Sequence, residues 1–244
     1  MTPFRWQNCY ADVVTSSHDR TIRSYFDDVI VPALSSLMRR IDELGQSGDP
    51  VAVFERSDVE DVLRETKLAF ALAIQSIWER QLREYLKGCA LELRKNDPMR
   101  ERIARADWPK LLKVFRDLRG IALEEFPSFG ALDTLQHLGN ACRHGDGASS
   151  LELVERCPDL WPVIPAMPFG DPQGFGLKSV DAMEVSIDRL RGFVDAIGGF
   201  WKDMEYIYNE SINAKHPTLE ARLARERKDR SWTPRGAGGE REDT

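Results

Sequence analysis

The chain contains 244 residues, of which 42% are apolar, a proportion typical of globular proteins. This length corresponds to about one or two domains and is sufficient to bury a core without disulfides. The 34 basic and 40 acidic residues leave a net charge of −6. This balance excludes a chain that coats nucleic acid through its overall charge, because duplex binding requires cations that neutralise phosphates.

The four cysteines, at positions 9, 89, 142 and 157, include no C-x-x-C pair. We therefore expect neither a disulfide framework nor a paired-cysteine zinc site, and we predict no cofactor or metal. The first residues lack the basic start and apolar core of a signal peptide. No apolar run approaches the roughly 18 residues that span a bilayer. These features predict a cytoplasmic protein that does not contact a membrane.

Apolar residues recur at helical spacing from the start of the chain. The stripe Ile22–Ile41 predicts a helix from about His18 to Leu44, with a kink or break at Pro32 because proline lacks an amide hydrogen. Asp97–Pro98 and Trp108–Pro109 predict the starts of two shorter helices, because proline is suited to the first helical turn.

Two long helices are predicted in addition. Ser57 and Glu60 match a capping box, which predicts that a helix begins there and ends near Lys95. Gly88 lies within it and marks the position where a kink or break is expected. Near the C-terminus, Ser186 precedes apolar residues that alternate steps of three and four, which predicts a second long helix packed in a bundle.

The remaining segments complete an all-α interpretation. A loop rich in proline and glycine precedes a short strand pair that we predict near residues 176–183. Pro217–Asp229 predicts a charged helix, and Ser231–Thr244 has the composition of a disordered tail. We therefore predict a helical bundle of long antiparallel helices over residues 1–214, followed by a charged helix and flexible tail over residues 215–244.

The segment Ser128–His144 predicts a helix with an unusual polar side. Its positions Asp133, His137, Asn140 and His144 fall within about 60° of each other, opposite an apolar side that includes Cys142. Few charged residues occur here, which favours a stripe covered by a partner, a ligand or another helix, and the alternative is an ordinary solvated face. Gly145 is a natural stop, and Ser149 with Glu152 predicts the capping box of the next helix.

The sequence LGNACRHGDG, residues 138–147, resembles the motif region of HEPN domains, an all-α superfamily. Many members are metal-independent ribonucleases of prokaryotic toxin–antitoxin and anti-phage systems, and they usually act as dimers. Their signature is an arginine, commonly followed by asparagine, and then a histidine. Asn140 and His144 match the asparagine and the histidine, whereas Gly139 stands at the usual position of the arginine.

The resemblance implies a homodimer that binds or cleaves RNA, with a cognate antitoxin or defence partner. His144 would be the proton-transfer residue, because imidazole titrates near neutral pH. Asn140 would assist it, and Arg143 or His137 would replace the missing arginine as the anion contact. A metal held by both histidines is disfavoured, since they lie about 10 Å apart along the helix axis.

Other interpretations stay open. A catalytically inactive HEPN-like dimeric interaction or regulatory module, with the polar stripe as its subunit interface, is favoured by the missing arginine and the acidic net charge. A nucleotide-sensing helical bundle is a third alternative. Residues 92–120 contain nine basic and five acidic residues, which is typical of an RNA-contacting surface or of a solvated helix face.

Overall fold

The computed structural model describes residues 4–95, 98–162 and 178–234. Within these ranges every regular element is helical, which confirms the predicted all-α class. The helices are α1 (Tyr10–Val14), α2 (His18–Tyr25), α3 (Val31–Gly45), α4 (Ala52–Leu93), α5 (Met99–Arg105), α6 (Trp108–Arg119), α7 (Phe129–His144), α8 (Ala148–Arg156), α9 (Ile187–Ser211) and α10 (Pro217–Asp229).

The described residues belong to two compact units, each assembled from separate stretches of the chain. The first unit takes the described parts of Met1–Thr21, Trp78–Gly130 and Ala196–Thr244, so it includes α10. The second unit takes the described parts of Ile22–Ile77 and Ala131–Asp195, so it includes most of α7. The sequence-based boundary at residue 214 stays a prediction.

The core of the first unit is aromatic. Trp78 of α4 is fully buried and packs edge-on against Phe200 of α9, with ring centroids 4.9 Å apart. Gln81, one turn later on α4, is also buried. Its Oε1 accepts a hydrogen bond from the indole nitrogen of Trp201 at 3.0 Å, and its Nε2 donates to the His18 carbonyl at 3.4 Å. The buried amide therefore has a partner for each of its polar atoms.

The start of α4 differs from the prediction. The helix begins at Ala52, whereas the sequence places a capping box at Ser57 and Glu60, and that box is therefore wrong. The carboxylate of Asp49 accepts a hydrogen bond from the Val51 amide at 2.9 Å, and its carbonyl accepts one from Ala52 at 3.0 Å. Because Asp49 already satisfies these amides, the helix starts before the serine is reached.

Gly88 lies inside α4, and the helix continues through it. The expectation that the helix breaks at this glycine is therefore wrong. A Cβ atom at Gly88 would stand 2.8 Å from the Cβ atom of Ala11 in α1. The glycine therefore permits a close approach between two helices of the first unit. The cost of glycine in a helix interior is offset here by packing.

The break expected at Pro32 is wrong, because the chain stays helical and changes its helix type just before the proline. A π-helical turn over Phe26–Ile30 joins α2 to α3. Pro32 lies two residues after this turn and has no amide hydrogen to donate to the carbonyl of Asp28, which a regular α-helix would require. The wider turn accommodates this missing hydrogen bond without breaking the helix.

Several predicted helix ends are confirmed. The Asp107 carboxylate accepts a hydrogen bond from the Lys110 amide at 3.1 Å and caps α6. The Ser186 hydroxyl accepts one from the Arg189 amide at 3.0 Å and caps α9. Helix α5 begins at Met99, directly after Pro98, as the Asp97–Pro98 pair predicts. Asp97 itself lies outside the described residues. Side chains that accept hydrogen bonds from free amides therefore set the starts of α6 and α9.

The strand pair predicted near residues 176–183 is wrong over the described part, residues 178–183, where Val180–Ala182 forms a 3₁₀ turn. Nearby oxygen atoms accept hydrogen bonds from the backbone amides of this turn. The Val180 amide donates to the Asp146 carboxylate at 2.8 Å, and the Met183 amide donates to the Val180 carbonyl at 3.0 Å. These amides are therefore not free to form a strand ladder. Residues 176 and 177 lie outside the described residues.

Helix α10 spans Pro217–Asp229, as predicted. Disorder was expected from Ser231 onward, and this is wrong for the first residues of that segment. Trp232 packs against Phe126, with ring centroids 5.1 Å apart, and Pro234 is buried. Burial of the indole ring outweighs the entropy lost on ordering these residues. The tail from residue 235 lies outside the described residues.

Candidate functional site

Helix α7 ends at His144, as the sequence predicts. Gly145 adopts a left-handed conformation with φ of 74°, and its amide donates to the Ala141 carbonyl at 2.8 Å. Arg143 and His144 therefore occupy the last helical turn, with basic side chains at the negative end of the helix dipole. This position favours cationic side chains and exposes them to a ligand.

The connection from α7 to α8 is shorter than the sequence indicates. Helix α8 begins at Ala148, so the capping box expected at Ser149 and Glu152 is wrong. The hydroxyl of Ser150 instead accepts a hydrogen bond from the Gly147 amide at 2.9 Å. Because Ser150 satisfies this amide, Ser149 is not needed as a cap.

The polar stripe of α7 changes from buried to exposed along the helix. Asp133 is buried and forms an ion pair with Arg156 of α8. His137 and Asn140 are half-buried, and His144 is exposed. The expectation that the stripe is covered therefore holds at its N-terminal end and is wrong at His144, because α8 supplies a partner only near Asp133.

His137 belongs with the buried end of the stripe. Its Nε2 lies 3.9 Å from the Asp133 carboxylate. Its Nδ1 is buried and has no hydrogen-bond partner among the described residues. Seven residues separate His137 from His144 on the same helix, which keeps them about 10 Å apart along its axis. The structure therefore does not bring the two histidines together.

Asn140 and His144 are free to contact a ligand. They lie one helical turn apart on the same side of α7, and the imidazole of His144 is exposed. Within the described parts of the chain, neither side chain takes part in a hydrogen bond or an ion pair. An amide and an imidazole with no other partner can both bind a ligand.

Arg143 is held from behind by a buried amide pair. Its Nη2 donates to Oε1 of Gln75 at 3.3 Å, and Nε2 of Gln75 donates to Oε1 of Gln136 at 2.9 Å. Gln75 is fully buried and Gln136 is 6% exposed, whereas Arg143 is exposed. The pair therefore fixes one edge of a guanidinium group that otherwise faces solvent.

Gly139 lies against the same glutamine. A Cβ atom at Gly139 would stand 2.5 Å from Cγ and 2.8 Å from Cβ of Gln75. Real Cβ atoms do not approach other atoms so closely, so this position cannot hold a side chain unless Gln75 moves. The structure thus excludes an arginine at position 139 in the present packing.

The sequence analysis did not identify Gln75, Gln136 or Arg156. Gln75 could have been flagged, because it is one of few polar residues in the apolar run Leu68–Trp78. Gln136 follows Leu132 by one turn on the apolar side of α7, which is the same signal. Arg156 carries no such signal, since an arginine at the end of a helix is ordinary.

Part of the basic segment of residues 92–120 is paired with carboxylates. Phe115 is buried in the core, as an ordinary amphipathic helix predicts, and Arg119 is buried as well. Three exposed cations lie close to carboxylates: Lys110 to Asp107 at 2.7 Å, Lys113 to Asp117 at 3.5 Å and Arg116 to Glu124 at 3.6 Å. These pairs favour the solvated-face interpretation over an RNA-contacting surface.

Among the described residues, no group of three or more His, Cys, Asp or Glu side chains is arranged to hold a metal ion. No helix in the described ranges combines the length and the apolar character needed to cross a membrane. Comparison of the chain with protein-family models, with curated proteins and with solved structures gave no match.

Proposed function

We propose that this chain is a HEPN-like protein that binds RNA at the C-terminal end of α7 and cleaves it without a metal. His144 is the proton-transfer residue, Asn140 assists it and Arg143 contacts the phosphate. The setting is a prokaryotic toxin–antitoxin or anti-phage system, and the active form is a homodimer. The resemblance of residues 138–147 to the HEPN motif region supports the RNA substrate, the roles of His144 and Asn140, the homodimer and the setting, whereas Arg143 is proposed as a substitute for the arginine that the motif lacks here.

The observation that carries the proposal is the arrangement at the end of α7. An exposed imidazole with no hydrogen bond or ion pair among the described residues directly follows in sequence an arginine whose guanidinium Gln75 holds in place. Arg143 thus stands in for the arginine that Gly139 replaces. The N–H groups of Arg143 that do not contact Gln75 can donate to a phosphate oxygen, and this contact has to outweigh the negative end of the helix dipole.

The chemistry requires two proton transfers. A base takes the proton of the 2′-hydroxyl, the 2′-oxygen attacks phosphorus, and the 5′-oxygen leaves with a proton from an acid. His144 performs one transfer, and Arg143 stabilises the charge that develops on the phosphate oxygens. His137 lies too far along α7 for the second transfer. We therefore assign it to His144 of the second copy in a homodimer.

Cleavage of labelled single-stranded RNA in the presence of a chelator tests the proposal. We expect products that end in 2′,3′-cyclic phosphate, no cleavage by His144→Ala, and at least tenfold slower cleavage by Arg143→Ala. The control is His216→Asn, which removes an exposed histidine of the first unit and keeps a side-chain acceptor at the N-cap of α10. Equal cleavage by wild type and His144→Ala, or its absence from both, would remove the nuclease assignment.

The second candidate is a catalytically inactive HEPN-like interaction or regulatory module. It is supported by the contact between Gly139 and Gln75, which leaves no room for the arginine of the family motif. In this case RNA stays intact, and the exposed end of α7 contacts a second copy or a cognate antitoxin. Light scattering distinguishes the candidates, because His144→Ala would then change the oligomeric state and not the integrity of RNA.

We place this function in the cytoplasm. The cysteines at positions 9, 89, 142 and 157 are all unpaired, which is typical of proteins kept in a reducing compartment. Cell fractionation checks this placement, since recovery with the periplasmic or membrane fraction would contradict it. The proposal involves no cofactor.

A further inference from the structure

Two cysteines that are distant in sequence meet in the first unit. Cys9, just before α1, and Cys89 of α4 are separated by 80 residues, yet their Sγ atoms lie 3.4 Å apart. Both thiols are free, and a disulfide requires a separation of about 2.05 Å. The two sulfur atoms would therefore have to approach each other by about 1.4 Å to reach bonding distance.

A cationic group faces both sulfur atoms. Nη1 of Arg119 lies 3.8 Å from Sγ of Cys9 and 3.9 Å from Sγ of Cys89. Its Nη2 donates to both carboxylate oxygens of Asp12, at 3.1 and 3.2 Å. Trp6 covers the guanidinium, with its ring centroid 3.8 Å away. The guanidinium is thus fixed where it stabilises a thiolate.

The two thiols differ in reactivity. The hydrogen bond between them lowers the pKa of Cys9. Burial and the Asp12 carboxylate, whose Oδ2 lies 3.5 Å from Sγ of Cys9, oppose this effect, and the charge of Arg119 supports it. The same hydrogen bond raises the pKa of Cys89, and burial adds to the effect. Cys9 is 6% exposed and Cys89 is fully buried. Cys9 is therefore the thiol that an oxidant meets first, in its more reactive form.

We propose that Cys9 and Cys89 are a peroxide-sensitive dithiol that forms a reversible disulfide. The Cys9 thiolate attacks a hydroperoxide oxygen, breaks the O–O bond and becomes a sulfenic acid, while the peroxide leaves as an alcohol or water. The sulfur of Cys89 then attacks Sγ of Cys9 and displaces water. In total, two thiols lose two hydrogens and two electrons to one hydroperoxide. A small thiol reverses the reaction by exchange.

The remaining cysteines provide the internal control. Burial raises the pKa of Cys142 to about 12, which suppresses its thiolate at neutral pH. Cys157 is 9% exposed, and no second sulfur atom is recorded within hydrogen-bond distance of it among the described residues. A variant with both Cys142→Ser and Cys157→Ser keeps only the proposed pair.

The test treats the full-length protein with a small excess of hydrogen peroxide, then alkylates free thiols after denaturation. We expect wild type and the Cys142→Ser, Cys157→Ser variant each to lose two alkylatable thiols, and dithiothreitol to restore them. Peptide mapping should show a crosslink between Cys9 and Cys89. Cys9→Ser and Cys89→Ser should form no such crosslink.

A second measurement does not depend on a cysteine variant that folds. The oxidised wild type closes a loop of 80 residues, which should raise its Tm by roughly 5 to 10 °C over the reduced form. The proposal is overturned if peroxide oxidises Cys142 or Cys157 before this pair, or if the pair stays alkylatable. A crosslink that leaves Tm unchanged or lowers it would overturn the claim that the folded geometry accommodates the bond.

Discussion

Gly139 of α7 lies so close to Gln75 of α4 that a Cβ atom at position 139 would stand 2.5 Å from Cγ of Gln75. The glutamine occupies the space that a side chain at position 139 would need. The same glutamine accepts a hydrogen bond from Arg143, one turn later. A single buried amide therefore excludes a cation at one position of α7 and holds a cation at another.

This contact predicts the effect of Gly139→Ala. Alanine improves the helical propensity by up to about 1 kcal/mol, but the new methyl group forces Gln75 away from Gln136. We expect a net loss of about 1–2 kcal/mol in the free energy of unfolding, measured by chemical denaturation. Gly130→Ala is the control, because a Cβ atom there meets nothing within 4 Å. Adding Gln75→Ala should recover part of the loss, and a strictly additive double variant would contradict the contact.

The substitution Gln75→Met tests whether the buried pair of Gln75 and Gln136 supports the exposed Arg143. Methionine retains the volume but leaves the Gln136 amide without this partner, which should cost about 1–3 kcal/mol of stability. Arg143 also loses its anchor, so RNA affinity should fall several-fold under conditions where the variant is fully folded. Filter binding across a salt series measures this effect. Unchanged affinity in a folded Gln75→Met variant would show that Arg143 needs no support from Gln75.

The ion pair of Arg119 with Asp12 is buried, with side chains 0% and 1% exposed. Removing one partner leaves an uncompensated charge in the core, so Arg119→Met should cost about 3–5 kcal/mol in unfolding free energy. The double variant Arg119→Met, Asp12→Leu should recover only part of this loss. It removes the remaining buried charge, but it also removes the acceptor of the hydrogen bonds from Tyr85 and the Cys9 amide. Thermal and chemical denaturation of the three proteins would test this order. An exposed control is Arg116→Met, whose pair with Glu124 should contribute little.

We predict that the burial of His18 makes the free energy of unfolding depend on pH. Burial lowers its pKa in the folded chain, where the ring packs against Trp201 at 4.6 Å between centroids. The unfolded chain therefore binds a proton at His18 more readily than the folded chain does. The contribution of neutral His18 to the free energy of unfolding is complete above about pH 6.5 and decreases as the pH falls below this value. His18→Gln should flatten this slope in denaturation curves between about pH 8 and pH 5. A slope that persists in His18→Gln would assign the effect to other groups.

The sequence predicted the helices well because periodic burial is a local property. The end of α7 at Gly145 and the caps of α6 and α9 follow from residues within a few positions of each other. The start of α4 was missed for a related reason. Ser57 matches a cap as well as Asp49 does, and only the structure shows that Asp49 is used.

The site and the dithiol depend on partners far apart in sequence. Gln75 meets Gln136 across 61 residues, and Arg119 meets Asp12 across 107. A helical pattern indicates that Gln75 is buried, but it does not identify the atom that satisfies it. The polar stripe illustrates the same limit, since the sequence predicts its membership and not the point where α8 stops covering it.

The number of residues in the π-helical turn at Phe26–Ile30 determines which side chains of α3 face the core. Ile22, Phe26, Ile30 and Leu34 follow one another at equal intervals, and all are at most 1% exposed. In a uniform α-helix each interval of four residues carries the side chain about 40° further around the axis, so the row would drift out of the core. The wider turn cancels this drift. Deleting one residue of the turn, such as the exposed Val29, would rotate Leu34 and all of α3 by about 100° and bring polar side chains inward.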